Sequence, residues 1–320
     1  MTDRRSTAGG QRRLLEVTDK STIATNVVSL TFRDVDGGRL PEWTPGSHID
    51  LHLPNGATRQ YSLCGNRWKP GEYRIAVLKE GHGRGGSDFI HQHVNVGDRL
   101  AIGGPRNNFA ILPAQHYIFI AGGIGITPII PMIDHVRRLG ARWELLYGGR
   151  TRESMAFLNT LQGDNITIFA KNEHGRMCLR RELEKRSQDS TRVYCCGPAE
   201  MVSDAAAAVR SVGRARFHSE HFSAKSPPNR LNDREFDIHL ARSGKTLLVT
   251  AGSSILDVAR GAGVVVLSSC ETGTCGTCET GVLAGVPDHR DSIHDDPDAV
   301  SDIMYICVSR SQSPHLTLDL

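Results

Sequence analysis

The chain has 320 residues, of which 39% are hydrophobic and 23% charged, and its 38 Lys and Arg against 35 Asp and Glu leave a formal net charge of +3. That length exceeds one ordinary core and calls for two or three domains, while the near balance of charge excludes a chain built to coat nucleic acid or an anionic membrane. No run of 18 apolar residues occurs, which excludes a membrane-spanning helix.

Residues 1–11 open a basic, polar stretch, "MTDRRSTAGGQRR". Arg4 and Arg5 lack the hydrophobic segment that an export signal requires, so a flexible arm and a cytoplasmic protein with reduced thiols are expected. From residue 12 to 112, "VVSLTF", "HIDLHL" and "YRIAVL" alternate apolar and polar positions between Gly, Pro and Asn turns. That rhythm predicts antiparallel strands with one buried face, most simply a small β-barrel. Within it, "RQYSLCG" begins at Arg59 at the end of a strand. "GRGGSDFIHQ" then sets Gly83, Gly85, Gly86 and Ser87 before a helix, a candidate phosphate cradle. A surface strand end and an ordinary tight turn have the same composition.

After Pro113 the rhythm changes. "HYIFIAGG" is a continuous apolar strand, followed by the helical "TPIIPMIDHVRRLG" and by the strands "WELLYGG", "NITIFA" and "RVYCCG". Apolar strands alternating with helices predict an α/β domain over 113–222 with a parallel sheet covered on both faces. Gly122, Gly123 and Gly125 fall where the first strand turns into a helix, a place where backbone N–H groups can meet a pyrophosphate. The third position of a full G-x-G-x-x-G is Pro128, which suits the first turn of a helix capped by Thr127. Such a turn serves tight packing equally well. "YCCGP" puts Cys196, Gly197 and Pro198 at the carboxyl end of another strand, where α/β sheets bind ligands; Cys195 reads as simply buried.

Residues 223–235, polar and proline-containing, read as a linker. Residues 236–320 then give strand, strand, helix and the strand "VVVLSSC", with Ser253 or Ser254 as N-cap and Gly261 or Gly263 as the stop. "SSCETGTCGTCETG" spaces Cys270, Cys275 and Cys278 as C-x4-C-x2-C, and Cys307 follows after 28 residues. This is the plant-type spacing in which four thiolates hold a 2Fe–2S cluster, and the strand and helix order fits a β-grasp ferredoxin. Small residues, Gly273, Thr274, Gly276 and Thr277, suit a backbone wrapped closely round inorganic sulfide. A zinc site is the alternative, although zinc usually takes paired short spacings.

R-x-Y-S-L, G-R-G-G-S, G-G-x-G-x-T-P, C-G-P and the four cysteines, in that order, resemble the phthalate dioxygenase reductase family, including its vanillate O-demethylase reductase type. The resemblance runs from about residue 12 to 320, and "GVPDHRD" and the closing "LTLDL" look like that family too. It implies a flavin-binding β-barrel, a pyridine-nucleotide domain and a C-terminal plant-type ferredoxin. By the same resemblance Arg59 contacts the flavin phosphate, Tyr61 packs on the ring, and Ser62, with Leu63 beside it, lies near N5. Gly85, Gly86 and Ser87 receive the phosphate, and Phe222 covers the other flavin face. Gly122, Gly123, Gly125, Thr127 and Pro128 hold the nucleotide, with Cys196, Gly197 and Pro198 by the nicotinamide and Arg150 on the nucleotide. A solvated loop arginine is the other reading of Arg150.

The activity so implied is transfer of hydride from NADH to a flavin and of single electrons through the cluster to a partner, here a Rieske-type oxygenase. The family typically uses FMN, whereas broader ferredoxin reductases use FAD; Arg150 and Arg152 leave NADPH open. No general acid or base is required and none is nominated; Ser62 and Cys196 are positioning groups. A monomer is expected, without nucleic acid or membrane partners. The alternatives are a reductase serving a cytochrome P450 or another acceptor, and a zinc-stapled nucleotide-binding regulatory protein. Asp288, Asp291, Asp295, Asp296, Asp298 and Asp302 form an acidic stretch near the cluster loop that either steers a basic partner or is merely solvated.

Overall fold

A computed structural model of the chain describes residues 12–81, 85–222, 233–293 and 302–320. The predicted arm, Gly83, most of the linker and Asp295, Asp296 and Asp298 lie outside the described residues.

The first unit is a curled antiparallel sheet. Its strands are β1 (Arg13–Ala24), β2 (Val27–Asp34), β3 (Ser47–His52), β4 (Thr58–Ser62), β5 (Tyr73–Leu78) and, after helix α1 (Gly86–His93), β6 (Arg99–Asn107). The order β4-β3-β6-β1-β2-β5 sets β4 and β5 at the two ends. Alternation turns Val17, Leu30, Phe32, Ile49, Leu51 and Ile75 into one core. Irregular register in β1 and β3 increases the curl, and the Cys64 N–H donates to the Arg74 carbonyl at 2.9 Å, drawing the ends together. The Lys20 ammonium donates to the carbonyls of Ile90, His91 and Val94, tying β1 to the last turn of α1.

The second unit contains β7 (His116–Gly122), α2 (Ile126–Arg138), β8 (Arg142–Gly149), β9 (Ile166–Ala170), α3 (Lys171–His174), α4 (Leu179–Arg186), β10 (Thr191–Cys196), α5 (Ala199–Val212) and β11 (Ala215–Glu220). All strand pairs are parallel, in the order β11-β10-β7-β8-β9. Every residue of β7 is buried. Phe119, Ala121, Leu145 and Tyr147 pack on α2 from one face, whereas Ile118, Ile120, Leu146 and Val193 pack on α4 and α5 from the other. Two-sided burial is why these strands read as apolar runs. The strand order reverses between β7 and β10, and a crevice opens outside the carboxyl ends at such a switch point.

The third unit has β12 (Phe236–Leu240), β13 (Lys245–Val249), α6 (Ile255–Gly261), β14 (Glu279–Ala284), β15 (Pro287–Asp288), β16 (Ile303–Tyr305), β17 (Arg310–Ser311) and β18 (His315–Leu318). Its main sheet, β13-β12-β18-β14-β16, folds round α6 as a β-grasp. Ser254 is the N-cap, its hydroxyl accepting the Asp257 N–H at 3.0 Å. Two expectations are corrected. "VVVLSSC" is extended but joins no ladder: Val264 and Val266 pack on the core while Val265 and Leu267 face out. The end of the supposed linker belongs to this unit, because the Asp233 carboxylate is buried against Arg290 at 2.7 Å and Arg310 at 3.6 Å.

Candidate functional site

A cavity of about 440 Å³ opens where the three units meet, within the size range of cofactor pockets. One wall is β4, which brings Arg59, Tyr61 and Ser62. A second is the start of α1, with Gly86 and Ser87, and a third is the end of β11, with Glu220 and the half-exposed Phe222. Gly85 takes φ +76 at the helix N-cap. A Cβ on Gly86 would sit 2.7 Å from Arg59 Cγ and Nε, so only glycine lets that side chain cross the start of α1. A guanidinium against a helix N-terminus is an anion site. Leu63 contributes no wall: it is fully buried in the barrel core.

Three buried polar atoms on these walls, His48 Nε2, Ser62 Oγ and Glu220 Oε2, make no well-formed hydrogen bond within the described protein, although Ser62 and Glu220 lie close to each other. Orphaned polar atoms at a cavity are what a polar ligand satisfies, so the walls fit a flavin with an anionic phosphate end. Burial pushes Glu220 up to about 8, with Ser62 drawing it partly back. Burial, and then Arg106, brings His48 down to about 4, which keeps the imidazole neutral. Burial likewise pushes the Tyr61 phenol up. Glu220 is the functional residue that sequence reading misses. A single acidic residue in "SEHF" carries no signal until β11 turns it inward.

The nucleotide turn is built by mutual packing of two strand ends. A Cβ on Gly125 would fall 2.2 Å from the Cys196 carbonyl oxygen, and one on Gly122 would fall 2.6 Å from Pro198. Gly123 differs: its φ is +54 and nothing stands within 4 Å, so its backbone faces open crevice. Thr127 does not cap α2. Gly125 occupies that position, and Thr127 is buried in the first turn, its hydroxyl donating to the Ile124 carbonyl at 2.9 Å. Pro128 lies in that turn as expected. Ile124 and Thr127 also wall the cavity, which therefore continues into the crevice. Cys196 is fully buried behind the turn and, like Gly197, does not line the cavity; burial raises its thiol, followed by Glu220 and Cys195. Arg150 is exposed just past β8 and does not line the cavity.

The cysteines of the third unit fall into two touching pairs, Cys270 with Cys275 and Cys278 with Cys307. Cys275 donates to Cys270 and, helped by Thr272 and Thr274 against burial, brings that thiol down to about 4. In the other pair Cys307 holds Cys278 low. Two irons sharing sulfides take thiolates two by two, which is how these four cysteines pair. The donor set therefore fits a 2Fe–2S cluster. Gly273 and Gly276, both at φ +72, turn the loop tightly.

This loop lies against the barrel. Thr272 and Thr274 wall the flavin cavity, Gln60 Nε2 donates to Ser269 Oγ at 2.9 Å, and Asn108 Nδ2 donates to the Cys275 carbonyl at 2.9 Å. Of the described acids in the acidic stretch, Asp302 is exposed. Asp291 is buried and accepts the Ile293 N–H, and Asp288 is paired with Arg290 at 2.7 Å.

Residues 238–312 match the family of 2Fe-2S iron-sulfur cluster binding domains, and residues 119–207 match the oxidoreductase NAD-binding domain. Phenoxybenzoate dioxygenase subunit beta of Ectopseudomonas oleovorans is 42% identical, over 88% of this chain and 89% of its own. Phthalate dioxygenase reductase of Burkholderia cepacia is 36% identical, over 96% of this chain and 97% of its own. An intact type IV self-sufficient cytochrome P450 monooxygenase has a solved structure that superposes with a TM-score of 0.90 at 38% identity. That match covers 99% of this chain but only 43% of the P450 protein, so the chain spans less than half of it.

Proposed function

The chain belongs to the phthalate dioxygenase reductase family, and from that premise we propose that it is the reductase component of a multicomponent oxygenase, drawing on NADH and supplying a separate oxygenase with single electrons. The observation that carries this reading is the one cavity walled by β4 and α1, by the nucleotide turn and by the cluster loop. A flavin and a 2Fe–2S cluster held by these walls would supply the conversion of a hydride from NADH, two electrons with a proton, into single electrons, the proton going to solvent.

The protein's own part is positioning. Arg59 and the start of α1 hold an anionic phosphate, Tyr61 and Phe222 bound the ring, and Ser62 and Glu220 offer polar atoms to its edge. Gly123 lets the nucleotide backbone approach, and Cys196, kept a neutral thiol, closes the nicotinamide end without placing charge there. Cys270, Cys275, Cys278 and Cys307 hold the cluster.

FMN is the flavin we assign, because Arg59 and the helix N-terminus form a terminal phosphate seat. NADH is the donor, because the Arg152 guanidinium is engaged by Glu173 at 3.0 Å rather than free for a 2′-phosphate. The domains run over 12–112, 113–222 and 236–320, with the linker's end from Asp233 packed on the last, and one chain holds all three sites, so the reductase works as a monomer. We assign it to the cytoplasm, in keeping with eight unbridged cysteines. The acceptor we favour is a Rieske-type non-haem iron oxygenase, in line with the dioxygenase names of its relatives. A cytochrome P450 is the second reading, favoured by the close superposition on part of a P450 monooxygenase chain.

Cofactor extraction with mass identification and metal analysis tests the assignment. One FMN and two irons per chain are expected; FAD overturns the flavin choice, and stoichiometric zinc without flavin overturns the function. Mixing the reduced protein with purified Rieske oxygenases and P450s, and following substrate oxidation, separates the two acceptors.

A further inference from the structure

We propose that Asn108 and Gln60, two side chains of the barrel, are positioning residues that clamp the cluster-binding loop in place and thereby govern passage of electrons from flavin to cluster. The proposal rests on the function above. Asn108 follows β6, and its Nδ2 donates to the carbonyl of Cys275, itself a cluster ligand, at 2.9 Å. The loop is shaped to receive it. At Gly276 a Cβ would come within 2.4 Å of Asn108 Nδ2, and the backbone there has φ +72. Glycine at 276 therefore serves both the turn and the seat of the amide.

Gln60 supplies the second grip, at Ser269, the residue before the first ligand. Its Nε2 donates to Ser269 Oγ at 2.9 Å and to Asp50 Oδ1 at 2.8 Å. Asp50 is its cross-strand partner on β3, is almost fully buried, and is held by Arg106 Nη2 at 2.6 Å. The amide is thus aimed by a carboxylate that has no room to swing. Residues 60 and 269 are 209 positions apart, and 108 and 275 are 167 apart, so neither bond is a by-product of local chain geometry. The two grips bracket the part of the loop that carries Thr272 and Thr274, the face turned to the flavin cavity. A displacement of about 1 Å at a reacting centre can cost about 10²-fold in rate, and these two bonds are what fix that face against the barrel. The clamp itself makes and breaks no covalent bond.

The test compares wild-type holoprotein with Asn108→Ala, Gln60→Ala and the double variant. Three quantities are read: hydrogen exchange of the amides over 269–278, iron and flavin content, and NADH-driven reduction of ferricyanide, which takes electrons from flavin, against cytochrome c, which takes them from the cluster. For Asn108→Ala we expect full iron and flavin, unchanged ferricyanide reduction, faster loop exchange and a cytochrome c rate at least tenfold lower. The double variant should lower the cytochrome c-to-ferricyanide ratio further. An unchanged ratio and unchanged exchange in the double variant would overturn the clamp, as would loss of iron with normal exchange, which would make these residues mere supports of the cluster. A wild type that fails to reduce ferricyanide with NADH would refute the proposed function instead, and the exchange comparison would still decide the clamp.

Discussion

Glu220 sits in surroundings unlike those of an ordinary surface carboxylate. Enclosure at the end of β11 pushes its acid up to about 8, so the folded chain keeps a proton that the unfolded chain has already released. Stability from this group is present in full below the unfolded value near 4.5 and is lost as pH rises through about 8. In the protein stripped of cofactors, the melting temperature of the wild type should therefore fall relative to Glu220→Gln between pH 5 and pH 9. A shift of one pKa unit corresponds to about 1.4 kcal/mol, which is about 2 °C for a chain of this size. Parallel pH profiles for the two proteins, measured by calorimetry, would remove Glu220 as the titrating group. The glycines of the nucleotide turn illustrate a different lesson at this scale. Sequence alone marks Gly122, Gly123 and Gly125 as one motif, yet only Gly123 faces the open crevice. The other two are glycine because another strand end lies against them.

At the level of elements, legibility follows the number of faces a strand buries. The barrel strands alternate apolar and polar side chains, even β3, which is buried on both faces, whereas β7 is buried throughout and reads as an apolar run, so both kinds can be recognised from composition. The edge strand β11, "ARFHSE", offers neither pattern. Residues 264–267 fail in the opposite way, being β-branched and apolar but without a strand beside them. Caps are mixed: Ser254 caps α6 as expected, whereas Thr127 lies inside the first turn of α2. α6 spans only seven residues and carries Ile255, Leu256 and Ala259 into the ferredoxin core. Removing its cap by Ser254→Ala should cost about 1 kcal/mol, read as a lower denaturant midpoint for the transition of this domain with the slope unchanged. A midpoint within error of wild type would mean that packing alone sets where α6 begins.

Across the whole molecule, the motifs disclose which units are present and in what order, but not how the units touch. No periodicity links Asn108 to Cys275 or Gln60 to Ser269; those contacts exist only once three separately readable domains have packed. The same separation makes the order of carriers testable by a single atom. Cys307 reaches its partner Cys278 from beyond β16, and both belong to the third unit. Arg59 and Gly86 belong to the first, and Gly123 and Cys196 to the second. Cys307→Ser exchanges one thiolate ligand for a hydroxyl and leaves every residue at the nucleotide turn and the phosphate seat in place. NADH should still reduce the flavin at nearly the wild-type rate, followed by bleaching of its absorbance in stopped flow, while cytochrome c reduction drops at least tenfold. An equal loss in both would mean that hydride transfer itself depends on the cluster. That outcome would place the third unit before the flavin's reduction rather than after it, acting on the cavity through the loop wall formed by Thr272 and Thr274.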